Sequence, residues 1–383
     1  MMRSERPWMG SEFPRMGSVR SGMRSKFSRS NHAGSKALTL FLAVCLFILL
    51  TVAYRPDVFN RQGEVDFLNV GQGDGILIRT PSHRVLLVDG GGTLSFGKKE
   101  EWMRRKDPYE VGRKLLVPLL KQRGIQKLDA LIVSHADADH IGGLQAVLEE
   151  IPVKRMLFNG TLKQSANAKK LFQLALDRHI PLYPIHAGMK LQVDGFTELN
   201  FLYPVAEEKQ ATTNSSVLHT ENQQNAYCVV FWMRMYHSTF LFTGDMDQAA
   251  EAEIVQADPL AEIMQKETAA GGNDGGNRST AASNGSSSRT RVDVLKVAHH
   301  GSKTSTSEAW LDYWRPLTAV ISVGRNNVYG HPNPQVLERL QAEASAVYRT
   351  DLDGEVQFRV APNGLRVRKK LHRVSDAAIQ KDS

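Results

Sequence analysis

The longest apolar run of the chain lies near its N-terminus, where residues 37–53 form a stretch of seventeen without a charge. A helix needs about 20 apolar residues, and at least about 17, to cross the hydrocarbon core of a bilayer. The basic residues that precede the run stay in the cytoplasm under the positive-inside rule. The pattern therefore predicts a single-pass cell-membrane anchor at 37–53, with the C-terminal part of the chain extracytoplasmic.

A cleaved signal peptide is the alternative interpretation of this run, with residues 51–53 as the cleavage site and a secreted product. The anchor is favoured because the run is long for a signal peptide and the leader before it, residues 1–36, is much longer than a signal peptide's charged region. A buried core helix is disfavoured, since the run shows no polar face.

Beyond residue 63 the apolar positions come in short runs that turn residues separate. Helices are predicted at 107–124, where Pro118 is expected to split the helical region, and at 144–150. Strands are predicted at 64–70, 85–88, 130–134, 240–242, 292–298 and 318–323. Strands that alternate with helices predict an α/β domain with mixed sheets over residues 64–368.

Charge and composition narrow the class of protein. Residues 1–36 carry a net charge of +6 of the chain's total of +8, so the basic character belongs mainly to the leader. The two cysteines, Cys45 and Cys228, exclude a disulfide scaffold and a cysteine-rich zinc module. Residues 268–290 consist mainly of Gly, Ser, Asn and Ala and are expected to form a disordered insertion. Residues 369–383 are expected to be a loose tail.

The sharpest chemical signal follows the apolar run 130–134. His135, Asp137, Asp139 and His140 fall within six residues and lead into Gly142-Gly143. Carboxylates and imidazoles crowded into one turn are costly to bury unless a metal ion joins them, and both groups ligate divalent metals. A solvated polar turn is the alternative, and the buried strand just before the motif argues against it.

Two later segments complete a constellation. Asp245 ends one predicted strand after Gly244, and the pair His299-His300 ends another. Each signal is weak alone, because Gly-Asp turns and structural histidines are common. Together they add a carboxylate and an imidazole at strand ends, as a two-metal site requires.

The motifs HADADHIGG, TGD and VAHHGS resemble those of metallo-β-lactamase-fold hydrolases. The likeness is strongest to the extracellular hydrolase domain of the ComEC-type DNA-uptake competence protein and its free-standing relatives, and it spans about 64–367. The resemblance implies an αββα sandwich with a metal site at one edge, between two sheets.

The resemblance also implies roles for individual residues. His135 and Asp137 would face one metal ion, Asp139 and His140 the second, and Asp245 would bridge them. A histidine of the 299–300 pair would complete the second ion's ligands, with His299 favoured. The residues expected to brace the site or to meet the substrate are Asp74, Asp89, Asn225, His300, Ser302 and Lys303.

The chain departs from the family's commonest pattern at two points. Asp137 stands where many members have a histidine, and the histidine usual between the third and fourth motifs has no clear counterpart, although Asn222 and Asn225 are candidates to line the site. We therefore expect one or two divalent ions, with the first position the weaker. Oxygen-rich ligation favours Mn²⁺ as well as Zn²⁺ and permits Mg²⁺.

Asp139 or Asp245 is expected to orient the nucleophile, and His331, outside the metal motifs, to assist the leaving group. A histidine that caps the next helix is the alternative for His331. The resemblance implies a membrane-anchored phosphodiesterase or nuclease with DNA as its partner; protein partners are not indicated. Hydrolysis of another ester, such as a lactone or a choline phosphoester, and a non-catalytic domain that binds DNA or a partner are the alternatives.

Overall fold

The computed structural model describes residues 31–54, 61–92, 110–206, 219–263, 292–325, 327–343 and 346–371. The leader up to residue 30, the predicted insertion at 268–290 and the tail from residue 372 lie outside the described residues, so their predictions stay predictions. The chain divides into two units, Met1–Phe59 and Asn60–Ser383.

The described part of the first unit is one helix, α1 (Asn31–Tyr54), which contains the apolar run. Its apolar side chains are exposed, as at Leu40 and Phe47, which are each 68% accessible. Among the helices of the described residues, none meets the combined length and hydropathy that a membrane span requires. The predicted anchor is thus seen as a helix, and its membrane-spanning role is not confirmed.

The second unit contains two large sheets. The first has eight strands in the order β17-β16-β1-β2-β3-β4-β5-β7, the second has seven in the order β15-β14-β13-β12-β11-β9-β8, and β10 pairs with β6. The strands are β1 (Gly63–Phe67), β2 (Ile76–Arg79), β3 (Val85–Val88), β4 (Ala130–Ile132), β5 (Met156–Phe158), β6 (Thr161–Leu162), β7 (Leu182–Pro184), β8 (Lys190–Asp194), β9 (Thr197–Tyr203), β10 (His219–Thr220), β11 (Val230–Met235), β12 (Ser238–Phe242), β13 (Val294–Lys296), β14 (Thr318–Ile321), β15 (Ala346–Arg349), β16 (Val356–Ala361) and β17 (Gly364–Lys369).

Eight α-helices of this unit lie entirely within the described residues. They are α2 (Val117–Gln122), α3 (Ala138–Ile141), α4 (Leu144–Glu150), α5 (Ala166–Asp177), α6 (Gln248–Ala257), α7 (Glu308–Trp314), α8 (Pro334–Ala342) and α9 (Thr350–Asp353). A π-helical turn, Gly112–Leu116, leads into α2. Pro118 lies near the start of α2, directly after this π-helical turn. The proline therefore marks a change of winding and does not split the helical region as expected.

Three apolar layers show how the elements stack. Alternate residues of both sheets, such as Phe67 and Phe242, share one cluster between the sheets. The opposite face of the first sheet packs against helices through residues such as Leu87 and Leu144. The opposite face of the second sheet packs against helices through residues such as Leu241 and Trp310. The result is the expected αββα sandwich, with each sheet buried on both faces.

The apolar runs predicted most of these strands. The prediction at 85–88 is confirmed to the residue by β3, and the helix at 144–150 by α4. The runs at 130–134, 292–298 and 318–323 are each longer than the strand observed, because the last residues leave the sheet and carry side chains into loops. Those loops carry the candidate metal ligands and the neighbouring residues that the motifs predicted.

Candidate metal centre

The candidate site lies where several strands of both sheets end. β3 runs parallel to β4, and β12 runs parallel to β13, so the carboxyl ends of each pair meet at one edge. Asp89 follows β3, His135 comes shortly after β4, Asp245 follows β12, and His300 follows β13. Ligands of α/β proteins bind beyond such strand ends, because the loops there are free to carry functional side chains.

Four residues form the centre of this edge: Asp139, His140, Asp245 and His300, whose ligand atoms all lie within 4.8 Å of one another. The Nε2 atoms of His140 and His300 are each 3.3 Å from Oδ2 of Asp245. Oδ2 of Asp139 lies 3.5 Å from Nε2 of His300. We call these four residues the tetrad.

The tetrad fits a divalent ion. Nε2 of His140, Nε2 of His300 and Oδ1 of Asp245 are buried and make no hydrogen bond, although buried polar atoms are normally paired. Carboxylate oxygens and imidazole nitrogens are also the donors that Zn²⁺ and Mn²⁺ accept. The unpaired Nε2 atoms of the two imidazoles and the donor chemistry of the tetrad therefore point to the same small space.

Hydrogen bonds on the far side of each imidazole set its orientation. Nδ1 of His140 lies 2.8 Å from Oδ2 of Asp89, and Nδ1 of His300 lies 2.8 Å from the carbonyl oxygen of Ser322. Oδ1 of Asp89 accepts the backbone N–H of Ser134 at 2.8 Å. Such partners fix the tautomer that leaves Nε2 available as a ligand.

The backbone is strained where it presents these side chains. His299 and His300 have φ angles of 47° and 53°, in the left-handed region that non-glycine residues rarely adopt. Gly73 has a φ of 99°, and a Cβ atom there would lie 1.7 Å from the carbonyl oxygen of Asp139. Only glycine therefore allows the first loop to pack against the metal motif.

The electrostatics of the tetrad follow from burial and mutual contact. Burial alone would lower the pKa of His140, but the carboxylates of Asp245 and Asp89 outweigh it and hold that pKa well above its usual value. Burial is likewise outweighed at His300, where Asp245 and Asp139 raise the pKa to about 9. Burial would raise the pKa of Asp245, yet the two imidazoles hold it well below its usual range. The carboxylates thus require positive charge close by.

Part of that charge comes from a lysine that the motifs did not identify. Lys296 is 1% exposed, and its Nζ atom lies 2.5 Å from Oδ2 of Asp74 and 3.6 Å from Oδ1 of Asp245. Nζ also donates to the carbonyl oxygen of Gly244 at 2.8 Å. Burial would lower the pKa of Lys296, but Asp74 and Asp245 raise it, so the ammonium stays charged.

The two residues predicted for the first metal position alone lie differently: the ring centroid of His135 is 4.0 Å from that of His140, whereas Asp137 pairs with a lysine outside the tetrad. Nδ1 of His135 lies 3.0 Å from Oγ of Ser134, and its buried Nε2 makes no hydrogen bond. Oδ1 of Asp137 forms an ion pair with Nζ of Lys163 at 2.6 Å. Neither His135 nor Asp137 belongs to the group whose ligand atoms lie within 4.8 Å.

The histidine pair is arranged differently from the sequence expectation. His300 lies within the tetrad, whereas Nε2 of His299 lies 3.8 Å from Oδ2 of Asp245 and 28% of the His299 side chain is exposed. Nδ2 of Asn225 approaches Nδ1 of His299 at 3.5 Å, which brings Asn225 to the rim of the site. The geometry thus favours His300 as the ligand, where the sequence had favoured His299.

His331 lies at the same rim. Its ring centroid is 5.8 Å from that of His299, and its backbone N–H donates to Oδ1 of Asn327 at 2.8 Å. The next helix, α8, is capped by Asn333, whose side chain accepts the N–H of Gln335. His331 is therefore not the cap of that helix.

The loop after the histidine pair carries the remaining predicted residues. Ser302 is buried, with its Oγ atom 3.0 Å from Oγ1 of Thr304. Lys303 is exposed, and its carbonyl oxygen accepts a hydrogen bond from Gln248. The structure leaves the Lys303 side chain on the surface beside the site.

Sequence reasoning missed Lys296 and Lys163. Lys296 had a signal, since it is the single charged residue in the apolar run 294–298 just before the histidine pair. A lone charge within a buried strand needs a partner, and here Asp74 provides it. No sequence signal pointed to Lys163, because Lys163 lies 26 residues from Asp137 in the chain and only the folded structure brings the two together.

The fold and the tetrad together indicate a hydrolase fold with a candidate metal site, and comparison with known proteins gives its family. Residues 68–325 match the Metallo-beta-lactamase superfamily, and the chain belongs to that superfamily.

Three curated relatives agree with this assignment. The chain is 32% identical over 317 residues to ComE operon protein 3 of Bacillus subtilis, 29% identical over 349 residues to competence protein ComA of Neisseria gonorrhoeae, and 27% identical over 329 residues to recombination protein 2 of Haemophilus influenzae. These matches cover 82%, 86% and 85% of this chain but only 35%, 40% and 33% of the relatives. The chain thus spans little more than a third of their length.

Proposed function

We propose that this chain is a phosphodiesterase that cleaves DNA by metal-dependent hydrolysis. The observation that carries the proposal is the tetrad, which gathers two carboxylates and two imidazoles around one space. A divalent ion held there would supply an acidic water, with a pKa of about 7, as the nucleophile and would neutralise charge on the phosphoryl group. The names of the relatives, competence and recombination proteins, favour DNA as the substrate.

The chain's own residues divide the remaining work. Asp139 is 15% exposed at its side chain and lies at the open side of the tetrad, where it can orient the attacking water. His331 lies at the rim, 5.8 Å from the ring of His299, and is our candidate to assist the departing oxygen. Ser302 and Lys303 lie in the loop that would hold the phosphate.

A membrane anchor at residues 37–53 is the second part of the proposal. The exposed apolar side chains of α1 and the +6 leader before it support this role. Protease added to intact protoplasts is expected to remove the C-terminal domain. Full protection of that domain would contradict the extracytoplasmic placement.

A substrate panel tests the activity. The full chain in detergent would be offered single- and double-stranded DNA, RNA, bis-p-nitrophenyl phosphate, a lactone and a choline phosphoester, each with Mn²⁺, Mg²⁺ or Zn²⁺. We expect DNA to be cleaved with Mn²⁺ or Zn²⁺. Turnover of the lactone or of the choline ester alone would favour the other ester hydrolases, and DNA binding without cleavage would favour an accessory domain.

A further inference from the structure

In the two-ion centre expected from the sequence, Asp245 would bridge the ions, with one carboxylate oxygen facing each. The two oxygens of Asp245 face different partners. Oδ2 faces the Nε2 atoms of His140 and His300, at 3.3 Å each. Oδ1 faces the ammonium group of Lys296 at 3.6 Å. One oxygen therefore lies within the tetrad, and the other already lies beside a positive charge.

The ammonium of Lys296 is held in that position. It is buried to 1% exposure and contacts Oδ2 of Asp74 at 2.5 Å and the carbonyl oxygen of Gly244 at 2.8 Å. A buried charge with such partners does not readily leave them, because an unpaired charge in the interior is costly. A metal ion at Oδ1 of Asp245 would have to bind beside this buried ammonium group.

One oxygen of Asp137, the second carboxylate predicted for that ion, is also paired with a cation. Oδ1 of Asp137 pairs with Nζ of Lys163 at 2.6 Å, and both side chains are about 70% buried. Of the two residues predicted for the first metal position alone, His135 keeps a buried donor atom, Nε2, without a hydrogen bond, and Asp137 has one of its two oxygens paired. A protein site for a divalent ion normally supplies at least three ligands.

We propose that the centre holds a single divalent ion within the tetrad and that Lys296 and Lys163 take the electrostatic place of a second ion. The inference deepens the proposed function, since it specifies the metal content of the same site. Asp245 then acts as a ligand through one oxygen and as a partner of Lys296 through the other.

Metal counting on the purified full chain tests the proposal without reference to any substrate. We expect wild type dialysed against Mn²⁺ to hold about one ion per chain, with the electron paramagnetic resonance signal of isolated Mn²⁺. Lys163→Gln should release Asp137 and admit a second, weaker ion, whereas Lys163→Arg should keep the wild-type count. Lys154→Gln is the matched control, because Lys154 pairs with Asp129 outside the centre.

Each result has one meaning. Two ions in wild type with an exchange-coupled signal would overturn the proposal and leave a metal-dependent hydrolase intact. No ion in wild type would overturn both the proposal and the metal-dependent function. A count that stays at one in folded Lys163→Gln, checked by its melting temperature, would refute the role given to Lys163.

Discussion

Asp66, Arg123 and Glu355 form one cluster of buried charge in the hydrolase domain, and the groups around Asp245 form another. In the first cluster the charges alternate: Arg123 donates to Oδ2 of Asp66 at 2.6 Å and to Oε1 of Glu355 at 2.5 Å, and Lys370 lies 2.9 Å from Glu355. One buried atom of these three residues, Oδ1 of Asp66, makes no hydrogen bond, whereas around Asp245 three such atoms occur together: Nε2 of His140, Nε2 of His300 and Oδ1 of Asp245.

The difference separates a structural cluster from a functional one. Removing one residue of a buried ion pair destabilises the folded protein, because the charge that remains is buried without a partner. Donors left unmatched are retained where a ligand completes them, and metal centres are a common case. We therefore expect substitutions in the first cluster to change stability and those in the tetrad to change metal content and activity.

The largest effect should come from Asp245→Ala. Loss of this carboxylate removes an atom that contacts both imidazoles of the tetrad, so metal content should fall to background and DNA cleavage by roughly 10³-fold or more. Metal analysis and cleavage assays measure the two effects. Asp247→Ala is the control, because Asp247 lies two residues away and caps α6 through Ala249 and Ala250. Wild-type metal content in folded Asp245→Ala would refute the assignment.

The histidine pair gives the next contrast. His300→Ala removes a member of the tetrad and should lower metal affinity by more than about 100-fold, whereas His299→Ala removes a neighbouring contact and should lower it by about tenfold, the smaller end of the range for such contacts. Titration of the two variants with Zn²⁺ or Mn²⁺ measures both. The reverse order would restore His299 as the ligand that the sequence favoured.

Arg123→Met tests the structural cluster. It leaves Asp66 and Glu355 without their shared partner and should lower the free energy of unfolding by about 3–5 kcal/mol. Denaturant unfolding measures the loss, and metal content and turnover of the folded fraction should remain at wild-type levels. A loss of metal in this variant would show that the two clusters are coupled.

The pH dependence of stability is a further test of the structural role of Asp66. Burial raises the pKa of Asp66 from 3.8 to about 6, although Arg123 acts in the opposite direction. The folded state then holds a proton that the unfolded chain releases, so the free energy of unfolding contributed by Asp66 falls as the pH rises from about 4 to about 6.

Asp66→Asn removes this titration. The stability of wild type relative to the variant should fall by up to about 3 kcal/mol across that window and stay level above it. Unfolding curves of both proteins at a series of pH values measure the difference. A constant difference between the two proteins across the window would contradict a raised pKa.

Local patterns predicted an α/β domain and the ligand types at its strand ends, and the family resemblance added the αββα sandwich and the individual ligand roles. Apolar runs that end in ligand-bearing turns place Asp139, His140 and Asp245 at strand ends without knowledge of long-range contacts. The choice between His299 and His300 depends on the left-handed backbone angles of these two residues, which cannot be predicted from the sequence motif. The pairing of Lys163 with Asp137 depends on how a distant loop packs.

The smallest effect is expected at the rim of the tetrad, from His331→Ala. The ring lies 5.8 Å from His299 and outside the group of ligand atoms, and Asn333 rather than His331 caps the helix that follows. The variant should therefore keep its metal and its melting temperature.

If His331 protonates the leaving oxygen, turnover of DNA should fall by at least about tenfold. The loss on bis-p-nitrophenyl phosphate should be smaller, because p-nitrophenolate leaves without a proton. His186→Ala, in an exposed loop, is the control for loss of a histidine. Equal losses on both substrates would show that His331 acts by positioning the substrate rather than by proton transfer.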